Sequence, residues 1–324
     1  LYADLAVYAP HSAAAGDRPA AQAAAQAAAK GEPGTVPRHV FVFFPGNPGL
    51  VHMYLPFLRQ VFDRNDEEWL VLAVGHAGHT PNDPSRTYLV SYQEQIEHKI
   101  AVLRERCPYA FVKGSETRFI VAGHSVGARV GLEVMHRLHS EARFQCYFGI
   151  CPTVMHIGQS PNGTRMSSRF ANPLFCRAAF AATWLVKLVT SLMPRTVALK
   201  IAKTAMAKDV PGVNGFYVRH ALALVDPHIV ANAFHMADHE MKMILGPEDA
   251  AIQHAAEEFA DVITFILSPV DMWCDEPIVQ LMRDTFPASS FRVLGDNVKH
   301  AFCLSHDTTV EVVDAMFYDL VEPE

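Results

Sequence analysis

Residues 119–137 read FIVAGHSVGARVGLEVMHR, with Ser125 between two glycines in the pattern Gly123-His124-Ser125-Val126-Gly127. A serine hydroxyl is a weak nucleophile on its own. It needs a base to take its proton, a third group to orient that base, and donors for the charge that develops on the attacked oxygen. The chain offers all three. Asp271 falls in ITFILSPVDMWCDEP and His300 in FRVLGDNVKHAFCLSHD, so serine, acid and histidine follow in the order that a strand–serine–helix site uses. The backbone N–H of Val126, directly after the serine, is one expected donor. The second should come from Pro45-Gly46-Asn47-Pro48-Gly49 after an early strand. Proline has no N–H, which leaves Gly46 and Asn47, with Asn47 favoured. Chemistry of this kind requires no metal and no organic cofactor.

A five-residue pattern can also arise as a plain turn serine, and each partner has rivals. Asp275 is the reserve acid. Asp284 lies in a helical stretch and Asp296 stands four residues before His300, so both read as solvated surface charges. His306 competes with His300 but falls near the cap of the last helix. His76 and His79, in GHAGHT, follow a strand, and loop hydrogen bonding is preferred for them over substrate contact. His235 and His239 share one helix face at i, i+4, but the glutamate of H-E-x-x-H is absent and no third ligand is evident, which argues against zinc.

The elements that must carry these groups are legible. Apolar, β-rich runs at 39–44, 70–74, 117–122, 145–150, 261–267 and 290–294 predict strands. Helical spacing at about 54–64, 90–106, 126–139, 277–285 and 308–320 lies between them. The alternation predicts an α/β fold with a mostly parallel, doubly wound sheet. Residues 152–260 break it. They hold no convincing strand and are rich in Met, Phe, Ala and Leu, which predicts an inserted helical cap or lid. The core would then be 38–151 and 261–324, and 1–37 an N-terminal segment carrying the alanine-rich 12–31 loop.

Composition narrows the classes. The 324 residues carry a net charge of −7 with both signs dispersed, which leaves no nucleic-acid footprint. The six cysteines show neither C-x-x-C pairs nor zinc spacing and read as reduced thiols. Asn162-Gly163-Thr164 matches a glycosylation sequon, a frequent accident. The first residue is leucine, and the expectation is that the native start, with any targeting segment, is missing.

Taken together, FFPGNPGLVHMY, GHAGHT, GHSVG, CPTVMHIGQSPNGTRMSS, DMWC and KHAF resemble the lipid droplet-associated serine hydrolases of the α/β-hydrolase superfamily. PGNPG and SPNG carry the resemblance more specifically than the serine motif. It implies an ester hydrolase acting on neutral lipids (sterol esters or acylglycerols) at lipid droplets or the endoplasmic reticulum, on their cytosolic side. It also assigns the triad roles to Ser125, Asp271 and His300. The alternatives are a weakly catalytic or non-catalytic lipid-droplet-binding protein on the same fold, or a thioesterase or other serine hydrolase. Epoxide and haloalkane chemistry on this fold uses an aspartate where Ser125 stands. Residues 178–193 form a 16-residue apolar run, shorter than the roughly 20 residues that cross a bilayer. With the uniformly positive charges from Arg177 to Lys208, the 171–208 region reads as a lid helix, a monolayer-surface element, or both.

Overall fold

The computed structural model describes residues 5–8, 36–65, 69–80, 88–208, 213 and 215–318; the alanine-rich 12–31 stretch lies outside them. Seven strands form one sheet: β1 (Leu5–Tyr8), β2 (His39–Phe44), β3 (Leu70–Val74), β4 (Arg118–His124), β5 (Arg143–Ile150), β6 (Ile263–Leu267) and β7 (Ser290–Val293). Their spatial order is β1-β3-β2-β4-β5-β6-β7. The last six are the strands expected from the sequence and all pair in parallel. β1 was not anticipated. It is a four-residue edge strand, antiparallel to β3, and too short to carry a periodic signal. The start of β6 shifts to Ile263 because Ala260–Val262 form a single 3-10 turn.

The helices that precede β5 are α1 (Leu55–Arg64), α2 (Tyr92–Arg106) and α3 (Val126–Leu138). Between β5 and β6 the chain forms α4 (Pro161–Phe170), α5 (Pro173–Leu192), α6 (Arg195–Met206), α7 (Gly215–Ala221), α8 (Pro227–Met243) and α9 (Ala250–Glu258), with no strand among the described residues. α10 (Glu276–Thr285) and α11 (His306–Phe317) follow. Strand side chains alternate between two cores. Val40, Val42 and Phe44 pack with α2, α3, α9 and α10 on one face. Phe41 and Phe43 pack with α1 and α11 on the other. Burial on both faces explains why β2 and β3 read as unbroken apolar runs rather than alternating ones.

The order of connections positions the site. The chain leaves β2 toward β3 on one side, and leaves β4 toward β5 on the other. Loops after two adjacent parallel strands that diverge in this way open a crevice at their carboxyl ends. The PGNPG turn and Ser125 follow those two strands.

Candidate active site

Ser125 joins β4 to α3 with φ 55° and ψ −126°, a conformation that non-glycine residues rarely adopt and that lifts its side chain out of the turn. The flanking glycines are sterically required. A Cβ on Gly123 would lie 2.2 Å from the carbonyl oxygen of Gly127, and one on Gly127 would lie 2.1 Å from that of Phe44. The sharp turn is held by Ser125 N–H donating to Ile150 O at 3.0 Å and by Thr153 N–H donating to Ser125 O at 3.3 Å.

The structure brings the three expected side chains together. His300 Nε2 lies 2.9 Å from Ser125 Oγ, and His300 Nδ1 lies 2.7 Å from Asp271 Oδ2. Asp271 follows β6, is 5 % exposed, and also accepts from Trp273 N–H at 2.8 Å. A carboxylate can only accept, so Nδ1 carries the proton and the lone pair on Nε2 faces the serine hydroxyl. Ser268 Oγ donates to Val298 O at 2.5 Å and ties the acid loop to the histidine loop. The rivals sit elsewhere. Asp275 precedes α10, Asp284 accepts from Gln280, and His306 is the first residue of α11.

The PGNPG turn crosses directly over the elbow. A Cβ on Gly46 would fall 2.9 Å from Ser125 Cβ and 2.8 Å from His124 Nδ1. The N–H of Gly46 is occupied by Tyr54 Oη at 3.2 Å. Among the described residues no group accepts from the N–H of Asn47 or Val126, the latter being the first residue of α3, where helix amides lack internal partners. His79 Nδ1 lies 2.5 Å from Pro48 O and braces the turn from below. Burial pushes His79 down to about 4, so this ring is neutral. Neither His76 nor His79 lines the crevice.

Two residues with a clear part in this geometry went unread in the sequence. His124 Nε2 lies 2.8 Å from His300 O and its Nδ1 lies 2.7 Å from Tyr54 Oη. The carbonyl can only accept, so Nε2 is the donor, and Nδ1 accepts from Tyr54, whose oxygen in turn accepts from Gly46. Burial, then the neighbouring His300, pushes His124 down to about 3, and the relay stays uncharged. It links the turn, the elbow and the histidine loop. The only signal was the histidine directly before the serine, which has no meaning without Tyr54 across the fold. The SPNG segment has a comparable place. Ser160 Oγ caps α4 by accepting from Gly163 N–H at 3.0 Å, and Asn162 N–H donates to Met272 O at 3.0 Å, next to Asp271.

Two chambers open from this centre. One, of about 320 Å³, reaches from Ser125 and His300 into α4 and α8, past Met166, Phe170 and Phe234. The other, of about 330 Å³, runs under the turn past Met53, Met206 and Leu304. Both are lined mainly by apolar side chains, and both border Asn47, Pro48, Leu224 and His300.

A serine elbow at the switch point of a parallel sheet, with acid and histidine on the loops after later strands, defines an α/β-hydrolase. Solved structures agree on the fold. An esterase from Exiguobacterium antarcticum aligns with TM-score 0.55 at 12 % identity over 87 % of this chain and 91 % of its own. A haloalkane dehalogenase from Agrobacterium tumefaciens C58 aligns with TM-score 0.55 at 14 % identity, over 87 % and 90 %. At such identities the likeness is one of fold. The chain belongs to the lipid-droplet associated hydrolase family, whose model matches residues 37–303. A lipid droplet-associated hydrolase from Rattus norvegicus is 28 % identical over 286 residues, 83 % of this chain and 81 % of that protein. Its counterpart from Homo sapiens is 24 % identical over 280 residues, 82 % and 80 % of the two chains. The resemblance read from PGNPG and SPNG is thereby borne out.

Proposed function

We propose that this protein hydrolyses carboxylic esters of neutral lipids, sterol esters or acylglycerols, at the cytosolic surface of lipid droplets or the endoplasmic reticulum. The observation that carries this reading is the hydrogen-bonded line Ser125–His300–Asp271 at the meeting point of two apolar chambers. Ser125 Oγ attacks the ester carbonyl while His300 Nε2 takes its proton, and Asp271 holds Nδ1–H and stabilises the imidazolium. The N–H groups of Asn47 and Val126 receive the oxyanion. The tetrahedral intermediate collapses, His300 gives its proton to the leaving alcohol oxygen, and an acyl-Ser125 remains. Water then attacks the acyl carbon, its proton passing to His300 and on to Ser125 as the acid departs. One chamber takes the acyl half and the other the alcohol half.

The surface role falls to α5 and α6 of the 152–260 cap, whose last helix, α9, packs on α3 in the α/β layer. α5 is 20 residues long, four more than the apolar run read from sequence, and 174–192 is long and apolar enough to cross a membrane by length and composition. Its contacts with α8 argue instead for lying on the surface. Lys187 pairs with Asp226 at 3.1 Å, and Phe175 stacks on Phe234. The outward leucines, Leu174, Leu185, Leu188 and Leu192, are exposed. So are Arg177, Arg195, Lys200, Lys203 and Lys208, cations suited to anionic headgroups.

The test is turnover of sterol esters, acylglycerols and short-chain esters, with and without a lipid surface, by wild type and Ser125→Ala. The expected result is hydrolysis by the wild type and a loss on the order of 10⁶ in the variant. Equal activity of the two proteins overturns the assignment. Equal inactivity on every ester favours the second reading, a droplet-binding protein that the exposed face of α5 would suffice to anchor.

A further inference from the structure

Glu240 is the ionisable group of the site that the mechanism leaves unused. It lies on α8, is 3 % exposed, and lines the Ser125 chamber, where the other ionisable lining residue described is His300. Its Oε1 accepts from Asn47 Nδ2 at 3.0 Å, and the same Nδ2 also donates to Ala233 O at 2.8 Å. The other carboxyl oxygen, Oε2, has no protein partner among the described residues. Burial pushes this acid up to about 8, against the lowering effect of the Asn47 bond. Below that pH it is a neutral carboxylic acid, with an O–H to give and lone pairs to receive. Facing it are Asn47 from the turn, Ser125 and His300 across the chamber, and Tyr92 from α2. Burial chiefly, with a contribution from Glu240, pushes the Tyr92 phenol above its ordinary range, so it brings no charge.

Oε2 is not among the fully buried atoms that lack a partner, so it reaches the open chamber, and a substrate that fills the chamber without offering a hydroxyl would bury it unpartnered, at a cost. We infer that Glu240 is a specificity-determining residue whose unbound carboxyl oxygen receives a hydroxyl of the substrate. The site therefore favours lipid esters carrying a free hydroxyl over esters with two wholly apolar halves. The inference rests on the ester-hydrolase reading above. The hydroxyl can belong to the alcohol half, as in a partial acylglycerol, or to a hydroxylated acyl chain.

Two matched pairs separate these sources: a diacylglycerol against its O-methyl ether, and a hydroxystearoyl ester against the stearoyl ester of the same alcohol. The quantity read is the ratio of kcat/KM within a pair. The ratio cancels any general loss that follows from disturbing Asn47. One neutral hydrogen bond corresponds to a ratio of about ten in the wild type for at least one pair. Glu240→Leu brings that ratio to about one, and Glu240→Gln keeps most of it. A wild-type ratio near one in both pairs overturns the inference, as does an unchanged ratio in Glu240→Leu. Equilibrium binding of the same pairs to Ser125→Ala gives the ratio without turnover. If the wild type hydrolyses no ester, the ester reading fails, and this binding ratio alone decides the role of Glu240: about tenfold sustains it, near one removes it.

Discussion

α3 and α5 are both apolar helices, yet one is sealed and the other bare. All but two of the residues of α3, His136 and Arg137, are buried. No described side chain of α5 is. The composition of α3 is accounted for inside the molecule. Leu132, Val134 and Met135 fill one core, and Gly127 gives the close approach that the elbow needs. The leucines of α5 have no such account, since Leu185 is 61 % and Leu192 79 % exposed. An apolar face of this extent, with cations around it, is what a lipid surface would cover.

The contrast can be broken most directly by truncation. Leu132→Ala should cost about 2–5 kcal/mol in denaturant unfolding, as buried leucines do. Leu185→Ala should stay within about 0.5 kcal/mol in water. Similar costs at both positions would mean that the Leu185 face of α5 is packed in the free protein.

Glu240→Gln sharpens the inner side of the comparison. The acid is raised from 4.5 to about 8 in the folded chain. Below the unfolded value both states are protonated and the variant matches the wild type. As pH rises from about 4.5 toward 8 the unfolded chain ionises and the folded one does not, so the wild type loses stability. Unfolding at pH 5 and pH 8 should show the variant gaining on the wild type, with a limit on the order of 4 kcal/mol. A difference that does not change with pH would mean that Glu240 ionises freely in the folded protein.

On the outer side, Leu185→Glu with Leu188→Glu should weaken binding to neutral-lipid emulsions by at least about tenfold, given roughly 1.5–3 kcal/mol for each leucine fully buried. Turnover of a dissolved short-chain ester should be unchanged. A smaller effect, about 1 kcal/mol for each cation, is expected for Lys200→Ala and Lys203→Ala on anionic vesicles, and none on neutral ones. Flotation assays read both.

Legibility in the sequence followed the same division between local and long-range features. β2, β3 and β4 are visible because burial on both faces leaves unbroken β-rich runs, whereas β7, none of whose residues is buried, is legible from its β-rich residue types and its place in the alternation. Ser125, Asp271 and His300, which the fold brings within hydrogen-bonding distance of one another, stand out in the sequence because each follows a predicted strand. β1 does not, since four residues at an edge carry no period. His124, Tyr54 and Glu240 do not, because each owes its place to a partner far away in the chain: Tyr54 reaches His124 across 70 positions, and Asn47 reaches Glu240 across 193. The apolar run in α5 reads as too short to span a bilayer because Arg177 sets its start at 178, while the helix runs back through Arg177 to Pro173.

The central claim is that Ser125 is a nucleophile activated by His300. Its most direct measurement is intact-mass analysis after exposure to a fluorophosphonate, for wild type, Ser125→Ala and His300→Ala, each shown to be folded. The account predicts a single adduct on the wild type, mapping to Ser125, none on Ser125→Ala, and labelling slowed by orders of magnitude in His300→Ala. A folded wild type that takes no label, or a Ser125→Ala variant that labels at the wild-type rate, would contradict it.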